Sequence, residues 1–177
     1  MRIVWKLIRY LVALVVILVA VAYVLPRNVT VERSVTVNAP PEVVFPLVNS
    51  LQNMSRWSPW LDRDPETKLT YSGPDAGVGN RMVWTSDHPQ VGNGSQQITA
   101  SVENTQVNTA IDFGDMGTAM AAITLAPEGS GTVVTWGFET DMGLNPVARW
   151  MGLMMDRWVG ADYERGLDRL KALAEAG

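Results

Sequence analysis

The stretch Asn145-Pro146-Val147-Ala148-Arg149-Trp150-Met151-Gly152-Leu153-Met154-Met155-Asp156-Arg157-Trp158 decides the fold. It continues without another proline to Leu167-Asp168-Arg169-Leu170-Lys171-Ala172-Leu173-Ala174-Glu175-Ala176. Asparagine is a strong N-cap and proline suits the first helical position. The tail is built from good helix formers. One helix of about thirty residues, roughly 45 Å long, is predicted. That is long for a chain of 177 residues, so most of the domain is expected to pack along it.

This helix carries two apolar faces. Val147, Trp150, Met151, Met154, Met155, Trp158 and Ala161 recur at helical spacing, and Leu167, Leu170, Leu173 and Ala174 form a second set. At about 100° per residue the sets lie roughly 130° apart. A straight helix cannot press both against one flat sheet. Either it bends near Gly160, or its halves meet different surroundings. The second reading is favoured: the leucine half on a sheet, the methionine and tryptophan half against a cavity or covering elements. Methionine and tryptophan are also ordinary core residues, so core packing and pocket wall stand side by side as expectations.

The N-terminal segment is a separate unit, residues 1–26. Tyr10 to Leu25 holds no charged residue. With Ile3 to Arg9 the run reaches about 23 residues, enough for a bilayer core of ~30 Å. Lys6 and Arg9 can snorkel, Trp5 and Tyr23 suit the two interfacial belts, and Pro26 ends the run. Arg2, Lys6 and Arg9 favour an inside N-terminus. A single-pass anchor in the inner membrane, with the domain of residues 27–177 on the periplasmic side, is expected. A cleaved signal peptide is the competing reading, because Ala20-Val21-Ala22 fits the small-x-small cleavage pattern.

All eighteen acidic residues follow residue 26, whereas Arg2, Lys6 and Arg9 precede it, so the remainder is more acidic than the net −4 of the whole. Nucleic acid is therefore not an expected partner. The chain has no cysteine and one histidine, His88, in the loop-like run Ser86-Asp87-His88-Pro89-Gln90. No His/Asp/Glu cluster has metal-ligand spacing, so no metal and no cofactor are predicted.

The domain opens on a strand. Val29, Val31, Arg33, Val35 and Val37 alternate with Thr30, Glu32, Ser34 and Thr36. Asn38-Ala39-Pro40-Pro41-Glu42 starts a short helix that Pro46 limits to a turn or two. Leu51 to Trp57 supplies another, stopped by Ser58-Pro59. Short strands are then expected over Lys68–Ser72, Arg81–Thr85, Ser95–Glu103, Gln106–Phe113, Thr118–Ala126 and Thr132–Glu139, joined by Gly, Pro, Asn and Asp turns. Strands grouped between helices argue an α+β fold with helices against one face of an antiparallel sheet.

Several residues, in order and spacing, resemble the SRPBCC superfamily, the START-like helix-grip proteins of polyketide cyclase/dehydrase type. They are Val37-Asn38-Ala39-Pro40-Pro41-Glu42-Val43-Val44-Phe45, Trp57-Ser58-Pro59-Trp60, Tyr71-Ser72-Gly73-Pro74 with Gly77-Val78-Gly79, Gly131-Thr132, Thr135-Trp136, Met155-Asp156, Gly160 and Glu164-Arg165-Gly166-Leu167. The resemblance covers about Val29 to Glu175. It implies a curved antiparallel sheet gripping the long C-terminal helix, two short helices closing one end, and a mostly apolar cavity between them. It also implies a function among proteins that bind lipids, sterols, polyketides or other hydrophobic ligands, some of them cyclases and some chaperone ATPase activators. No catalytic motif matches residue by residue, so no catalytic residue is assigned.

The expected pocket wall is Trp57, Trp60, Trp84 and Trp136 on one side, with Met151, Met154, Met155 and Trp158 opposite. Indoles make rigid apolar walls and methionine adapts to varied ligands. Asp112, Asp115, Glu139 and Asp141 would serve acid/base chemistry only inside an apolar cavity; solvated strand ends are the simpler reading. Arg81 and Arg149 suit a ligand carboxylate or an ordinary ion pair. Gly77-Val78-Gly79 reads as a turn, not a phosphate loop. The expected function is a membrane-tethered binding module for a small hydrophobic molecule or lipid. A cyclase or dehydratase acting on a polyketide-like substrate, and an interaction domain with a vestigial cavity, are the alternatives.

Overall fold

The computed structural model describes residues 2–177. In chain order its elements are α1 (Arg2–Ala22), β1 (Asn28–Val37), α2 (Pro41–Val48), α3 (Leu51–Met54), β2 (Lys68–Ser72), β3 (Arg81–Thr85), β4 (Gly94–Val102), β5 (Gln106–Asp112), β6 (Thr118–Glu128), β7 (Gly131–Asp141) and α4 (Pro146–Glu175). The strands form one antiparallel sheet in the order β1-β7-β6-β5-β4-β3-β2. The helix-grip architecture is therefore present: a curved sheet, two short helices after the first strand, and a long C-terminal helix. The strand bounds over β2 and β3 coincide with those expected, because Gly and Pro turns mark their ends sharply.

Cross-strand register defines the inner face. One row runs Tyr71, Met82, Gln96, Ile111, Ala119, Thr140 and Val29; the next runs Ile98, Thr109, Ala121, Phe138 and Val31. Most of these are buried, whereas their neighbours of opposite parity, such as Gln97, Met120 and Glu139, are exposed. That is the period-2 signature of a sheet with one covered face.

Helix α4 begins as expected. The side chain of Asn145 accepts from the main-chain N–H of Val147 at 2.9 Å. The helix then runs unbroken through Gly160, and its two apolar faces meet different surroundings. It packs chiefly on β1, with β7 beside it. Three glycines on the packed side allow the close approach. A Cβ on Gly152 would meet Val29, one on Gly160 would occupy the place of the Arg33 guanidinium, and one on Gly166 would lie 2.8 Å from the Trp136 ring. Arg33 uses the space at Gly160 to donate to Asp156 at 2.9 Å and Glu164 at 2.7 Å. Leu167, Leu170 and Ala174 are buried in the core with Val31, Val37, Val44, Leu51, Val134 and Trp136.

Helix α1 is long and apolar enough to cross a membrane, with a mean hydropathy of 2.4 over its best window, a property that a signal sequence shares. Its side chains are exposed except for Ala22. Its C-terminal end is held by α4. The Arg149 guanidinium donates to the main-chain oxygens of Ala22, Tyr23 and Leu25, and its cation lies 5.5 Å from the centre of the Tyr23 ring. The Trp150 indole N–H donates to the Leu18 carbonyl at 3.1 Å. Carbonyls at a helix C-terminus lack partners within the helix, and Arg149 supplies them from another element.

Candidate functional site

The interior under α4 is built from aromatic rings. Trp57, stopped below α3 by Ser58-Pro59, donates its indole N–H to the Leu47 carbonyl of α2. Its ring meets that of Trp136 edge-on at 5.1 Å between centroids. Trp60, on a single helical turn over Trp60–Asp62, meets Trp136 at 5.5 Å and Tyr163 at 6.0 Å. Tyr163 of α4 stacks flat on Trp136. These four rings fill the space where the helix crosses β7, and such edge and stacked pairs are the preferred aromatic geometries.

A polar latch closes this cluster on the outside. Buried Asp162 accepts from Arg63, from the Trp60 indole N–H at 3.2 Å, and from Arg165. Arg169 pairs with Asp62, and this ion pair holds the Asp62 carboxyl below the usual range. The segment between α3 and β2 is thereby pinned to α4.

The expected wall residues thus fall into four places. Trp57, Trp60 and Trp136 come together and interlock with one another. Trp84 lies apart on β3, 6.0 Å from Phe113 and half-buried. It crosses Gly94, where a Cβ would collide with its ring. Met155 is half-buried against the core. Met151, Met154 and Trp158 turn away from the sheet and are 50%, 45% and 45% exposed. The reason is angular: their side of α4 is opposite Gly152 and Gly160, which press on β1.

What remains open is the part of the concave sheet that α4 does not cover. Leu69 and Trp84 pair across β2 and β3, and Tyr71 and Met82 pair beside them. With Phe113 they form an apolar strip of half-buried side chains. The Tyr71 hydroxyl shares a 2.7 Å hydrogen bond with Ser55 of the α3 C-terminus, which fixes one end of the strip. Two surface depressions lie elsewhere. One of about 430 Å³ sits among Phe45, Pro46, Asn49, Asn53 and Ala76. The other, of about 540 Å³, lies on the polar outer side of the sheet around Arg81, Gln97, Met120 and Glu139.

The acid/base candidates do not converge on the strip. Asp112, Asp115, Glu139 and Asp141 are exposed. Arg27 donates to Asp141 and, with the Gly143 N–H, holds its carboxyl down at about 2. His88 accepts from the Gln90 N–H in its loop. The Tyr163 hydroxyl is fully buried with no partner among the described residues, and burial pushes its pKa far up, so it stays a neutral phenol. Among the described residues Arg149 meets no carboxylate; it donates to the Gly143 carbonyl at 3.0 Å and to the main-chain oxygens at the end of α1. Sequence reading missed this role, whose only signal was a charge on the side of α4 that faces the domain. It also missed Asn80, a turn residue that caps α3 from a distance by accepting from the Leu51 N–H at 2.8 Å.

No curated protein matches the chain in sequence. Solved structures resemble it in fold. Truncated norcoclaurine synthase from Thalictrum flavum superposes with a TM-score of 0.64 at 15% identity, covering 82% of this chain and 92% of that one. The di-domain ARO/CYC StfQ from the steffimycin biosynthetic pathway gives 0.62 at 12% identity, covering 84% of this chain and 51% of that one. Protein CV1439 from Chromobacterium violaceum gives 0.55 at 19% identity, covering 82% and 96%. At such identities the likeness is one of fold. A family model described as polyketide cyclase / dehydrase and lipid transport matches residues 28–175, from the first residue of β1 to the last of α4. The chain belongs to that polyketide cyclase / dehydrase and lipid transport family, within the SRPBCC superfamily.

Proposed function

We propose that the chain is a membrane-anchored binding module for a small hydrophobic molecule, held on the part of the concave sheet that α4 leaves uncovered. The observation that carries this is the half-buried apolar strip of Leu69, Tyr71, Met82, Trp84 and Phe113. Side chains of this kind are normally either packed away or replaced by polar ones, and an apolar guest would complete their burial. The family description, which includes lipid transport, is consistent with an apolar guest. An enzymatic reading has less support, because the one buried carboxylate among the described residues, Asp162, is neutralised by Arg63 and Arg165.

Native mass spectrometry of the full chain in detergent, after incubation with a lipid extract, tests the reading. One apolar adduct per chain is expected, together with displacement of a bound naphthylamine fluorophore. Trp84→Ala is expected to weaken that fluorophore about tenfold, the equivalent of ~1.4 kcal/mol of lost contact. Repeated preparations that take up nothing overturn it.

A further inference from the structure

The first half of α4 is apolar on the side that leaves the domain. Val147, Met151, Met154 and Trp158 fall within about 60° of one another around the axis, and all are exposed. A helix side turned to water is ordinarily polar, and a contiguous exposed apolar patch marks a contact surface. The register shows what lies beside it. The C-terminal ends of β3, β5 and β7 and the N-terminal ends of β1 and β6 meet at one end of the sheet. The loops at that end carry Met116 and Leu144, which are 70% and 69% exposed.

Helix α1 ends at the same place, and it is bonded to α4 there. Arg149 holds the Tyr23 carbonyl at 3.2 Å, and Trp150 holds that of Leu18. Leu18 lies five residues, roughly 7 Å of helix, before Tyr23. If Tyr23 marks the outer interface, the Trp150 indole lies at the edge of the hydrocarbon. The apolar side of α4 therefore starts beside the outer end of α1.

We infer that the Val147, Met151, Met154 and Trp158 side of α4 lies in the outer interface of the bilayer that α1 crosses. The domain then rests on the lipid surface instead of standing off on a tether. This rests on the anchor reading of α1. The open end of the concave sheet, rimmed by Trp84 and Phe113, lies at the membrane-facing end, so an apolar guest passes to it from lipid without crossing water.

The chain has no cysteine, so single spin labels can be placed on the full-length protein in phosphatidylcholine liposomes. Met151→Cys and Met154→Cys report on the face, Val15→Cys on α1, and Glu103→Cys on the far end of the sheet. Collision with oxygen reports lipid, and collision with a nickel chelate reports water. Labels at 151 and 154 are expected to follow the label at 15, oxygen-rich and nickel-poor, while 103 shows the reverse. If 151 and 154 follow 103 while 15 stays in lipid, the docking face is wrong and the anchor stands. If 15 also reads as water, the anchor reading fails and takes the docking with it. Spin–spin broadening at 151 and 154 that vanishes on dilution with unlabelled chain would assign the face to a second copy and overturn the inference.

Discussion

The ring of Tyr163 lies on that of Trp136 with 3.7 Å between centroids and 9° between planes. The hydroxyl at its far end is buried with no partner among the described residues. A buried hydroxyl without a hydrogen bond costs about 1–3 kcal/mol. Tyr163→Phe keeps the stack and removes that cost. The variant is expected to unfold at a higher temperature, by the equivalent of about 1 kcal/mol, in thermal melts of the full chain in detergent. A loss of the same size would show that the hydroxyl has a partner.

Gly166, three residues on in α4, faces the same cluster. In an exposed helix, glycine to alanine gains about 1 kcal/mol. Here the new methyl would sit 2.8 Å from the Trp136 ring and 3.3 Å from the Pro59 ring. Neither ring can yield, because Trp136 is held between Trp57, Trp60 and Tyr163. Gly166→Ala is therefore expected to destabilise by about 1–2 kcal/mol net, overpacking outweighing propensity. The same melts check it, and a stabilised variant would refute the close approach.

Much of this architecture is legible in the sequence for a simple reason. Alternation in β1, the turn signals around β2 and β3, and the Asn145-Pro146 start of α4 are local features. The two faces of α4 are legible too, since helical periodicity fixes which side chains share a side. What periodicity cannot say is what covers each side. Met151, Met154 and Trp158 read equally well as core, pocket wall or lipid contact, because all three media select apolar residues. Arg149 and Asn80 stayed hidden because their acceptors and donors come from segments distant in sequence. The Arg149 acceptors at Ala22 and Tyr23 are main-chain oxygens with no residue-type signature.

Arg149 can be tested as the clasp between anchor and domain. Hydrogen bonds from a charged donor contribute about 1.5–3 kcal/mol. Arg149→Ala removes them and leaves the last turn of α1 uncapped, while the sheet and the leucine half of α4 are untouched. The bond after Arg27 should become about tenfold or more easily cut by trypsin, the minimum that this range implies, with little change in the melting of the domain. Arg149→Lys should fall between, because an ammonium cannot fork to several carbonyls as a guanidinium does. Unchanged cleavage in Arg149→Ala would show that α1 is held by other contacts.

Arg27 and Asp141 give the same junction a pH dependence of known sign. The Arg27 hydrogen bond, helped by the Gly143 N–H, brings the Asp141 carboxyl from 3.8 down to about 2 in the folded protein. A depressed carboxylate contributes stability that is complete above its unfolded value and lost as pH falls through its folded one. The contribution is therefore constant from neutral pH to about 4 and disappears as acid carries the solution toward 2. Both side chains are about half exposed, so salt should weaken the pair as well. A carbon-13 titration of the Asp141 carboxyl should give a midpoint near 2 in the native chain. In Arg27→Gln the midpoint should rise toward 3.8, stopping short of it because the Gly143 bond remains. A midpoint indifferent to Arg27 would mean that the pair does not form, and that the start of β1 is tied to β7 by main-chain bonds, the Met142 N–H to Arg27 carbonyl bond and the ladder that follows it.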